Sequence, residues 1–145
     1  MGVQTARAMW GCAMMFALGA AGLYDPALVH ADAPHCMQWV FDGYTQFDHA
    51  NGSKLKFIAF MERNFRDTPA KIVPGNGGQA IDRLVSADIV NGDRIYLDLY
   101  QFSGAPRAFY EGGVADDGFA YGIVYDDSNH TSGSWRSAAP LRCAD

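Results

Sequence analysis

From residue 37 onward the chain is written in short stretches of alternating apolar and polar residues, broken by Asn-Gly and Asp-Gly pairs. Period-two alternation sends successive side chains to opposite faces of an extended strand, so each stretch predicts a half-buried β-strand. Asn-Gly and Asp-Gly supply the positive φ of a tight turn, so the breaks predict hairpins between neighbouring antiparallel strands. In MQWVFDGYTQF (37–47), Trp39, Phe41, Thr45 and Phe47 fall on one side and Val40, Asp42, Tyr44 and Gln46 on the other. After the Asn51-Gly52 turn, KLKFIAFME sets Leu55, Phe57 and Ala59 against Lys54, Lys56 and Ile58. AIDRLVSADIV also fits helical spacing, but the Asn91-Gly92-Asp93 turn and the β-rich RIYLDLYQF that follow make it a strand. RAFYEGGV, FAYGIVYD and a short strand at Ser134–Ser137 complete the set. Asp116-Asp117-Gly118 is read as the turn between two of these strands: adjacent carboxylates on a solvated turn diverge, and an acid pair needs groups facing each other across a cleft.

The predicted fold is therefore an all-β antiparallel meander of about seven strands, closing into a small barrel or folding as a sandwich. Residues 63 to 79, RNFRDTPAKIVPGNGGQ, contain two prolines and three glycines and are expected to be a loop. Arg63, Arg66 and Lys71 concentrate positive charge there, which makes that loop a candidate lid.

Residues 1–31 are expected to be a cleaved signal peptide, leaving a single domain over 32–145. Arg7 supplies a positive start, an apolar run of 16 residues follows from Ala8 to Leu23, and Val29 and Ala31 give the small-residue cleavage pattern. The run is shorter than the roughly 20 residues a spanning helix needs, so no membrane insertion is expected after cleavage. Cleavage removes Cys12 and leaves Cys36 and Cys143, near the two ends of the remaining chain. In the oxidising surroundings of an exported protein that pair predicts one disulfide, and an extracellular or cell-envelope location.

A formal charge of -5 argues against nucleic acid as a partner. Catalytic and cofactor templates find no footing: there is no GxSxG, no HExxH and no phosphate-binding glycine loop. His35, His49 and His130 lack metal-ligand spacing, and Asp127, Asn129 and Thr131 begin a calcium-loop pattern that fails at Ser132 and Ala138. No cofactor, metal or enzymatic activity is expected.

Aromatic density is the remaining signal. Tyr96, Tyr100 and Phe102 share one strand face, and Phe119, Tyr121 and Tyr125 share another. These rings either pack as core or line a binding cavity or patch, with Tyr96, Tyr100, Tyr121 and Tyr125 the candidate contacts.

The order CMQWVFDG, NGDRIYLDLYQF, YEGGVADDGFAYG and SGSWRSAAPLRC resembles that of small exported proteins of actinobacteria, mycobacteria in particular. The resemblance implies a compact exported β-domain and carries over no catalytic residue. The expected function is a non-catalytic binding or interaction module that contacts an unknown protein. The alternative is a carrier of a small apolar ligand in a barrel cavity, and a hydrolase ranks last. Because a barrel begins to hold one small ligand at about eight strands, the expected seven weigh against a cavity.

Overall fold

A computed structural model describes residues 35–103, 107–127 and 130–144. The expected signal peptide lies outside them. Nine β-strands follow in chain order: β1 Trp39–His49, β2 Lys54–Glu62, β3 Asn64–Val73, β4 Ile81–Val90, β5 Arg94–Tyr100, β6 Arg107–Val114, β7 Ala120–Asp126, β8 Thr131–Ser137 and β9 Arg142–Cys143. Each of β1 to β7 pairs antiparallel with the next, and β1 also pairs with β8, through Phe47↔Ser137 and His49↔Trp135. Eight strands thus close a barrel, which leaves no open sheet edge among them. The first residues of β1 pair instead with β9, through Trp39↔Cys143.

The eighth barrel strand is β3, and it replaces the loop expected at 63–79. Two local features hid it. A bulge between Phe65 and Thr68, with Asp67 at φ 53°, shifts the register against β4. Phe65 before the bulge and Ala70 after it both point inward, so the period-two pattern changes phase in mid-strand. Pro69 follows, at a place where the β2 ladder has already ended at Ala70 and only β4 is paired, so a missing N–H is tolerated. A second bulge, with Met61 at φ 54°, accommodates the shift between Phe41↔Glu62 and Gly43↔Ala59.

The interior is apolar and largely filled. Phe41, Phe47, Leu55, Val85 and Ile95 are fully buried. Phe57 and Phe65 each pack edge to face with Phe41 at 5.6 Å and lie tilted to each other at 5.5 Å, and Phe47 stacks on Trp135 at 4.4 Å. The indole Nε1 of Trp135 donates to the Ile123 carbonyl at 3.1 Å. Gly112, paired with Gly122 across β6 and β7, admits this ring: a Cβ on Gly112 would meet Trp135 at 2.7 Å and the Tyr121 carbonyl oxygen of the opposite strand.

One end of the barrel is capped by the two ends of the described residues. The Cys36–Cys143 disulfide ties them, with Cα atoms 5.7 Å apart. The 91–93 turn caps β1 through the Trp39 N–H to Gly92 carbonyl bond, and Leu141 N–H bonds the Gly118 carbonyl. Asp116-Asp117-Gly118 forms the expected turn, with Gly118 at φ 84° and the Asp117 carboxylate accepting the Phe119 N–H at 3.0 Å. The opposite end, where β1 runs into β2, β3 into β4 and β7 into β8, forms a mouth.

Candidate functional site

Above the aromatic plug the barrel opens into a cavity of about 830 Å³, lined from strands on every side of the mouth. Its walls differ. Ile72, Ile81, Leu99, Ala108 and Val124 present apolar surface, whereas His49, Ser53, Tyr110, Asp126 and Thr131 present polar groups. Gly133 leaves room in the wall, since a Cβ built there meets nothing nearer than Val124 at 4.0 Å.

A chain of hydrogen bonds runs from Asn51 at the rim down to a polar floor at His49 and Tyr110, and its proton positions follow from its ends. Asn51 Oδ1 accepts the Ser53 N–H at 3.0 Å and the Ser53 hydroxyl at 2.7 Å, so the single Ser53 proton is committed to Asn51. His49 Nδ1, 2.6 Å from Ser53 Oγ, must then donate to it. Its Nε2 is left bare and accepts the Tyr110 hydroxyl proton at 3.0 Å. Burial lowers the His49 pKa from 6.5, against the opposing pull of Asp48, and so favours this neutral tautomer. Burial, with the Asp126 carboxylate adding to it, pushes the Tyr110 phenol well above its usual range and keeps it protonated. Tyr110 thus turns lone pairs, not a proton, toward the cavity. The imidazole donates to Ser53 and takes no proton from it, so Ser53 is not arranged as an activated nucleophile.

Two charged side chains stand in the inward phase of their strands at the mouth. Arg83 precedes the inward series Val85, Ala87, Ile89 on β4, and Asp126 ends the series Ala120, Gly122, Val124 on β7. The Arg83 guanidinium donates to the Asp82 carbonyl at 2.8 Å and forms no ion pair with a described residue. The neighbouring Asp82 carboxylate is held by Lys71 at 2.6 Å, on the outer wall.

The residues singled out by aromatic density lie elsewhere. Tyr96, Tyr121 and Tyr125 are 43%, 55% and 47% exposed on the outer wall, and the Tyr100 hydroxyl shares a hydrogen bond with Ser86 at 3.1 Å, so none of the four lines the mouth cavity. The lid residues are also relocated. Arg66 and Lys71 belong to β3 and are bound to Asp88 and Asp82 of β4, because a paired strand, unlike a loop, fixes its side chains beside the next strand. Arg63 sits at the β2–β3 turn, where its carbonyl accepts the Ile89 N–H at 2.7 Å. The true connector, residues 74–80, does reach the rim: Gly75 lies so close to the Asn51-Gly52 turn that a Cβ would stand 2.7 Å from the Asn51 oxygen. Asn129 of the calcium-like run lies outside the described residues, and the described ones hold no cluster suited to a metal. His49, Ser53, Tyr110, Arg83 and Asp126 were not anticipated; for His49, Arg83 and Asp126 the available signal was a polar residue in the inward phase near a strand end.

Comparison with protein-family models, with curated proteins and with solved structures finds no match to the chain.

Proposed function

We propose that this is an exported, non-catalytic binding protein that takes a small amphipathic molecule into the barrel mouth. The observation that carries the reading is the contrast within one interior: aromatic rings fill the barrel to the level of Phe47 and Trp135, and above them an 830 Å³ space stays open with apolar walls and a polar floor. That volume lies in the range of small-molecule sites, which combine apolar lining with a few oriented polar groups. The bare face of Tyr110 calls for a hydrogen-bond donor, such as a hydroxyl, on the bound molecule. Protein purified from its own organism should carry a stoichiometric small molecule by native mass spectrometry, and Gly133→Leu, which fills the mouth, should arrive empty. A wild-type protein that arrives empty and takes up no decan-1-ol would overturn the reading.

A second role, contact with another protein, is favoured by the outer wall of β5 to β7, where Tyr96, Tyr121, Ile123 and Tyr125 are all exposed on one face. If that wall binds a partner, Tyr121→Ser with Tyr125→Ser should release a co-purifying polypeptide while leaving decan-1-ol uptake unchanged.

A further inference from the structure

We infer that the molecule taken into the mouth is a monocarboxylate with an apolar body, and that Arg83 binds its acid group. The inference rests on the mouth-binding reading and adds the ligand's charge and its anchor.

Arg83 is placed in the inward phase of β4 by the register Ala70↔Arg83 and Val85↔Leu99, and it lines the cavity beside Ile72, Ile81 and Leu99. A guanidinium half-buried on an apolar wall is an expensive way to close a barrel unless an anion meets it. Among the described residues only one hydrogen bond, to the Asp82 carbonyl, uses its five N–H donors. The obvious internal counter-ion, Asp82, points outward and is engaged by Lys71. What is left is a planar fork of donors matched to a carboxylate, above apolar surface matched to a hydrocarbon or ring.

Asp126 across the mouth sets a limit on charge. Its carboxylate adds negative charge to the same mouth, which disfavours a phosphate dianion or a dicarboxylate.

The test uses protein purified from the full-length chain and four probes of one length: decanoate, decan-1-ol, decylammonium and decyl phosphate, titrated by calorimetry at neutral pH. Decanoate should bind about tenfold or more tighter than decan-1-ol, in keeping with a charge-assisted, bidentate contact. Arg83→Gln should remove that advantage and leave decan-1-ol within about twofold of wild type, and Arg83→Lys should restore part of it. Equal affinities for decanoate and decan-1-ol in the wild-type protein would overturn the carboxylate while leaving the mouth as a binding site. Tighter binding of decylammonium or decyl phosphate than of decanoate would overturn it also, the first assigning the anchor to Asp126. Failure of all four probes would overturn the mouth-binding reading itself.

Discussion

His49 is held neutral between a hydroxyl it donates to and a hydroxyl it accepts from, and protonation at Nε2 would break the bond it accepts from Tyr110. Its folded-state pKa is lowered, so below about pH 6.5 the unfolded chain takes up a proton more readily than the folded one. Its contribution is therefore fully present above that pH and is lost as pH falls toward the depressed folded value. Thermal unfolding followed between pH 7.5 and 5 should show a decline that His49→Asn shares only in part; parallel declines would show that His49 does not titrate differently on folding. Gly118 is the other residue whose environment decides its identity. It holds φ 84°, and a Cβ there would stand 2.9 Å from Pro140 and 3.2 Å from Trp39. Gly118→Val should cost about 1 kcal/mol or more from backbone strain, with the crowding adding to it. Asp116→Asn and Asp117→Asn should leave the unfolding midpoint unchanged, because an asparagine oxygen can still accept the Phe119 N–H. An acid pair with a function would instead show itself as a loss of activity without a loss of stability.

At the scale of elements, β3 makes the barrel possible. It bridges β2 and β4, and its bulge turns Phe65 and Ala70 to the same side despite their odd spacing. Asp67 occupies the left-handed region at that bulge and its N–H bonds Ser86 Oγ at 3.1 Å. Asp67→Gly should be neutral or slightly stabilising, whereas Asp67→Val should destabilise by about 1 kcal/mol, since a branched side chain resists positive φ. Chemical denaturation distinguishes the two; an equal cost for both substitutions would mean that the Asp67 carboxylate, and not its backbone, matters at the bulge. The ion pairs that Arg66 and Lys71 make with β4 are exposed and contribute little by themselves, which leaves the apolar inward row as the reason the strand forms.

For the whole molecule, the disulfide and the mouth occupy opposite ends. Cys36 and Cys143 are 107 residues apart, so their link restrains almost the entire described chain when it unfolds. Replacing both by alanine should lower stability by about 4 to 5 kcal/mol on loop-entropy grounds. Because β1 to β8 close the barrel without the bond, that variant, while folded, should retain wild-type affinity for decanoate. Loss of binding in a still-folded variant would show that the capped end shapes the mouth. Among the described residues no helix is long and apolar enough to cross a membrane.

Local chemistry was sufficient for much of this. Alternation in β1, β2 and β5, and the turns at Asn51-Gly52, Asn91-Gly92 and Asp117-Gly118, are properties of neighbouring residues, and each appears in the structure as the sequence implies. The cysteine pairing was legible as well, because only two cysteines remain after residue 31. The strand count was not, because the β3 bulge inverts the phase of alternation and a proline beside it imitates a loop. Nor was the site. His49 and Tyr110 are 61 positions apart and meet only when β1 and β6 face each other across a closed barrel, and Arg83 and Asp126 join them at the same mouth. The tyrosines were left between cavity and patch for the same reason: alternation says that Tyr96, Tyr121 and Tyr125 share faces within their strands, but only closure decides which face is the inside, and it puts these three on the outer wall.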